Sequence, residues 1–166
     1  MLVSAAAIYG VSSSSAFDLS QTEVTGATLT DQADVEAVLG TVAGENLFVL
    51  KTAPLEAALC DLPTVSTARV SVHLPHTLAV ALEEREAVMV WKVGARRYLA
   101  GSDGELFARL PEGEAELAAD LPVVEDLRAS SVGLSVGGHL DTVDLDAATR
   151  LASLVPADLG SGAERL

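Results

Sequence analysis

Residues 69–91 read RVSVHLPHTLAVALEEREAVMVW, and this stretch decides the fold. Apolar residues alternate at Val70, Val72 and Leu74, and again at Leu78, Val80 and Leu82. Successive side chains of a strand point to opposite faces, so a period of two marks a strand buried on one side. Leu74-Pro75-His76 breaks the pattern. The two strands are therefore expected to fold back on each other there, with all six apolar side chains on one buried face. A run of charge, Glu83-Glu84-Arg85-Glu86, closes the hairpin. It is either a catalytic cluster or the place where one sheet ends and the next begins.

Upstream, FDLSQTEVTG (residues 17–26) reads as a first strand ending at a glycine that tolerates positive φ. In LTDQADVEAVLGTV, Val35, Val38, Leu39 and Val42 fall on one helical face, with Thr30 or Asp31 as N-cap. GENLFVL interrupts at Gly44 and is expected to bury Leu47 and Phe48. A second helix follows in APLEAALCDLP, with Pro54 in its first turn and Leu55, Ala58, Leu59 and Leu62 inward. The order is β-α-α-β-β, two helices on a small sheet.

Downstream the texture changes. AVMVWKV, RRYLAG and GELFARL are short strands, with Ser102-Asp103-Gly104 as a hairpin turn. ADLPVVEDL reads as a connection. LDTVDLDAATRLASLVP is a third helix with Leu145, Ala148, Leu151, Ala152 and Val155 inward. The fold class is α+β, a β-α-α-β-β module followed by an antiparallel β-domain with a C-terminal helix. The expected divisions are 1–16, 17–86, 87–159 and a tail at 160–166.

The chain carries 24 acidic and 10 basic residues, a net charge of −14. A nucleic-acid binder needs clustered Lys and Arg to displace counterions, and only Arg96 and Arg97 are adjacent here. From Glu112 to Asp126 there are six acids and no base, the composition of a solvated linker. Cys60 is the single cysteine, so there is no disulfide framework; beside Leu59 it reads as a small buried hydrophobe. MLVSAAAIYGVSSSSAF is apolar to Val11 and has no basic residue before Lys51. It is shorter than the roughly 20 apolar residues that span a bilayer. Residues 1–16 are read as the remnant of a membrane helix or a disordered tail.

Candidate chemistry is sparse. On a strand Glu84 and Glu86 share one face while Arg85 opposes them, with nothing apolar nearby to raise a carboxyl pKa. His73 and His76 straddle a turn and lack the third ligand a metal site requires. His139 lies in a separate glycine-rich stretch. The cluster at Gly133, Gly137 and Gly138 has no strand-to-helix context for phosphate. No catalytic, cofactor or metal residue is assigned, and no small-molecule substrate is expected.

Several short motifs, in order and spacing, resemble the FtsQ/DivIB family of bacterial cell-division proteins. They are Val24 and Gly26; Gly44, Asn46, Leu47 and Phe48; Leu62, Pro63 and Val65; Ala68 and Val70; Leu74, Pro75 and Leu78; Glu84, Arg85 and Val88; Asp103 and Gly104. The resemblance covers about Phe17 to Pro122. It implies a POTRA module at 17–86 followed by the start of a β-domain at 87–159, expected to be incomplete because family members continue with further strands. Ala87 stands where the family has proline, and no basic cytoplasmic tail precedes the apolar segment. The resemblance further implies a non-enzymatic, extracytoplasmic scaffold at the division septum, tethered to the cell membrane by an N-terminal helix. Its partners would be FtsB- and FtsL-like division proteins, which in the family dock towards the end of the β-domain. On this reading Glu84 and Arg85 fix the joint between the two domains. The polar face of the penultimate POTRA strand, Arg69, Ser71 and His73, is the candidate partner surface. The alternative is a POTRA chaperone module of an outer-membrane assembly or secretion system, which would call for tandem POTRA repeats and a membrane β-barrel.

Overall fold

The computed structural model describes residues 14–152 apart from 112, 114, 115 and 117; the readings for the segments before Ser14 and after Ala152 lie outside it. The chain divides into two compact units after Arg85. The first runs through a 3-10 turn (Ser15–Phe17), β1 (Gln21–Thr25), α1 (Gln32–Gly40), α2 (Thr52–Cys60), β2 (Val65–His73) and β3 (Thr77–Glu84). The second contains β4 (Met89–Val93), β5 (Arg96–Ala100), β6 (Leu106–Arg109), β7 (Val123–Asp126) and α3 (Thr142–Ala152).

The expected hairpin is β2 and β3. They pair antiparallel with Val70 opposite Val80 and Val72 opposite Leu78. Ala68, Val70, Leu78, Val80 and Leu82 are buried against Val35 and Leu39 of α1 and Leu55 and Leu59 of α2. Leu74 departs from the expectation. It stands one residue past β2, outside the alternating register, and is 50% exposed. On its other side β3 pairs with β1, in parallel, giving the order β1-β3-β2. Two elements fix this crossover. The Asp31 carboxylate caps α1 by accepting from the Ala33 amide at 2.9 Å. Gly26 turns the chain out of β1 at φ +83°, where a Cβ would stand 1.9 Å from the Leu82 carbonyl oxygen.

Other expectations change in detail. The first strand is shorter than residues 17–26, because Phe17 to Leu19 bond to the loop after α1 instead of the sheet. Leu47 N donates to the Phe17 carbonyl and Leu19 N to the Glu45 carbonyl. Phe48 is half exposed while its neighbour Leu47 is buried. Cys60 is exposed, not buried. Leu55 and Leu59 fill the inner stripe of α2, and the next residue after Leu59 turns away.

In the second unit β4, β5 and β6 form the expected antiparallel meander, with Gly104 at φ +85° in the Ser102–Gly104 turn. Residues read as a connection supply a fourth strand: β7 joins β4 in parallel, so the order is β6-β5-β4-β7. Met89, Trp91, Tyr98, Ala100, Leu106 and Ala148 make the core. Leu151, expected inward, is 64% exposed, and Ala148 alone of α3 is fully buried. A charged hub ties β7 to α3. The buried Asp126 carboxylate accepts from Ser131 Oγ at 2.6 Å and from the Arg128 guanidinium at 2.7 Å. Arg128 reaches on to Asp144 of α3 at 2.7 Å.

Candidate interaction surface

Arg69, Ser71 and His73 alternate with the buried residues of β2, so all three emerge on the face opposite the helices, and all three are exposed. The pairing places them in rows with β3 and β1. Arg69 lies beside Ala81 and Thr25, Ser71 beside Ala79 and Glu23, and His73 beside Thr77 and Gln21. The result is an open sheet face with a floor of small side chains between two polar banks. One bank carries the cation Arg69 and the other the anion Glu23. Only the β2 bank was legible in the sequence. The β1 bank depends on a parallel pairing between segments more than fifty residues apart, for which local alternation holds no signal.

The free edges of this sheet differ. At β2 the amide of Val70 is already used, donating to Glu56 Oε1 of α2 at 2.9 Å. Beside β1 lies a groove of about 550 Å³ whose lining includes Thr22, Val24, Val35 and Leu39. Sequence reading gave no hint of the groove, since it exists only where β1 and α1 stand apart at the sheet edge.

Glu84 takes up an unexpected position. Its Oε1 accepts from the amides of Thr28, Leu29 and Thr30 at 2.9, 2.8 and 2.7 Å, and from the Thr30 hydroxyl at 2.7 Å. Oε2 accepts a second bond from Leu29 N at 3.0 Å. The Thr30 hydroxyl also meets that of Thr64 at 2.8 Å. One carboxylate thus gathers the whole loop between β1 and α1 onto the end of β3. Burial pushes this carboxyl upward, but the Thr30 hydroxyl and the three amides outweigh it and hold it below the usual range. Arg85 N donates to the Thr64 carbonyl at 2.8 Å. Glu83, on the outer face, accepts from the Thr67 hydroxyl at 2.7 Å.

Such a carboxylate is engaged as an acceptor by the loop between β1 and α1. Among the described residues no group of three or more His, Cys, Asp or Glu is placed to hold a metal ion. His73 stands on the open face, whereas His139 bridges to Glu105 in the second unit. Among the described residues no helix is long and apolar enough to cross a membrane; of residues 1–16, read as a membrane-helix remnant or a tail, all but 14–16 lie outside them.

Residues 17–85 match the family model of the FtsQ-type POTRA domain. The first unit is thus similar to the FtsQ-type POTRA domain, and the chain is similar to the FtsQ proteins of bacterial cell division. It is 35% identical over 98 residues to the cell division protein FtsQ of Corynebacterium glutamicum, covering 58% of this chain and 44% of that one. With FtsQ of Chloroflexus aurantiacus it shares 28% identity over 161 residues, 96% of this chain and 56% of the relative. With FtsQ of Mycobacteroides abscessus the identity is 34% over 91 residues, 55% and 29% of the two chains. The chain therefore spans about half the length, or less, of these FtsQ relatives.

Proposed function

We propose that this chain serves bacterial cell division as a non-catalytic scaffold, held to the membrane by its N-terminal segment with both units outside the cytoplasm. The observation that carries the reading is the open face of the first sheet. A globular module ordinarily covers a sheet on one side and solvates the other. Here the solvated side presents Arg69, Ser71 and His73 across an alanine floor from Glu23, a relief suited to recognition of another protein at the septum. Glu84 and Arg85 hold the last POTRA strand where the chain passes to the second unit. FtsB- and FtsL-like division proteins are the partner class.

The test is the triple variant Arg69→Glu, Ser71→Glu and His73→Glu, placed in the full-length gene in cells depleted of the native protein. All three side chains are exposed, so circular dichroism of the purified variant should match the parent. Septal recruitment and division should fail or weaken. Normal division with the folded triple variant at the septum would remove this face from the account. Loss of envelope β-barrel assembly with division intact would favour a chaperone role instead.

A further inference from the structure

The loop after α1 displays two apolar side chains to solvent: Phe48 is 49% and Val49 74% exposed. They are held there by local bonding. The amides of Val49 and Leu50 both donate to the Asn46 carbonyl at 3.1 Å, and the Phe48 amide donates to Asn46 Oδ1 at 3.0 Å. The Phe48 ring rests edge-on against Phe17, with centroids 4.7 Å apart. Lys51, the first basic residue of the chain, follows directly and is exposed.

The same loop is where the chain comes in from its apolar beginning. Asn46 Nδ2 donates to the Ser14 carbonyl at 3.2 Å, and Leu47 N donates to the Phe17 carbonyl at 2.9 Å. Three residue steps separate Val11, the last of the apolar run, from Ser14. At full extension they reach about 10 Å. The headgroup layer on one side of a bilayer is roughly 5–8 Å thick. If the apolar run ends at the edge of the hydrocarbon, Asn46 lies within or just above that layer. The exposed pair Phe48 and Val49 sits two and three residues further on.

We propose that Phe48 and Val49, with Lys51 beside them, seat in the headgroup layer of the bilayer that holds the N-terminal segment. The inference rests on the tether proposed above. An aromatic ring at the interface and a cation against lipid phosphate are the chemistry that level of a membrane accepts. Asp18 and Glu45 flank the same edge, so the apolar pair supplies most of the attachment and Lys51 a smaller share that depends on anionic lipid. Two attachment points fix the tilt of the first unit against the membrane, where a single flexible tether would leave it free.

The experiment uses the whole chain with vesicles of phosphatidylcholine and phosphatidylglycerol at three to one. Cys60 is exposed, so Cys60→Ser serves as background. A polarity-sensitive fluorophore is attached at Val49→Cys, or at His73→Cys on the open sheet face as the reference. The label at 49 should shift to the blue on adding vesicles and be quenched by lipids brominated near the headgroup, while the label at 73 stays aqueous. Phe48→Ser with Val49→Ser should weaken vesicle partitioning at least about tenfold. Lys51→Glu should weaken it only on vesicles containing phosphatidylglycerol. Co-sedimentation with an aqueous label at 49 would overturn the seating and leave the tether standing. Equal shifts at 49 and 73 would reduce the effect to indiscriminate adhesion and overturn the proposal. No co-sedimentation at all would remove the tether and the seating together.

Discussion

Glu84→Ala is expected to destabilise the first unit far more than a substitution at a strand end ordinarily does. The carboxylate receives five hydrogen bonds from residues 28–30, four of them on Oε1. Removing it leaves three consecutive amides without their acceptor and the Thr30 hydroxyl with Thr64 as its partner. Thr28 is exposed and rehydrates at little cost, whereas Thr30 is buried and Leu29 half-buried. A buried donor left unpaired costs about 1–3 kcal/mol, so two such positions, with partial relaxation, give a loss of about 3 kcal/mol. Glu83→Ala is the matched control. It loses one exposed bond to Thr67 and should cost no more than about 0.5 kcal/mol. Hydrogen exchange followed by mass spectrometry reads the first unit apart from the second, and the peptide covering residues 27–31 should lose protection first. The acid limb gives a second reading. Because the folded carboxyl titrates below its ordinary range, its stabilisation is full above the unfolded carboxylate pKa. It fades as pH falls through the lower folded value. Glu84→Gln should therefore show a flatter loss of first-unit stability than the parent as pH falls through and below the ordinary carboxylate range. Equal urea midpoints for Glu84→Ala and Glu83→Ala would refute the reasoning.

Three further outcomes follow from single positions. Val80 is buried at the centre of the first core and Ala81 is exposed on the other side of the same strand. Val80→Asp should cost several kcal/mol or prevent folding, and Ala81→Asp no more than about 1 kcal/mol, by urea midpoint. Gly26→Ala combines a positive φ with a Cβ driven into the Leu82 carbonyl, so it should cost at least about 2 kcal/mol and shift the β1–β3 backbone resonances. In the second unit the hydrogen bond from Arg128 holds the Asp126 carboxyl well below its usual range, against the upward push of burial, with Ser131 adding to it. Asp126→Asn should lower the unfolding midpoint read by Trp91 fluorescence at neutral pH. It should also remove much of the stability that the parent loses as pH falls through the carboxylate range.

Legibility followed the range of the interaction that fixes each element. Alternation at Val70, Val72, Leu78 and Val80 is local, and it gave both strands of the hairpin and their buried face. The stripe of Val35 and Leu39 and that of Leu55 and Leu59 gave both helices for the same reason. β7 was missed because its four residues, Val-Val-Glu-Asp, carry no alternation; they extend only because β4 offers a parallel edge. Leu74, Phe48 and Leu151 are apolar residues whose neighbours already fill the core, so periodicity continued past the point where burial stops. Glu84 shows the same limit from the polar side. Its position at the end of a strand gave no sign of this role, because the amides it collects lie more than fifty residues earlier and reach it only through the parallel pairing of β1. That pairing also creates the Glu23 bank of the open face and the groove beside α1. The features most useful for recognition thus sit where distant segments meet, and the spacing of residues along the chain cannot encode them.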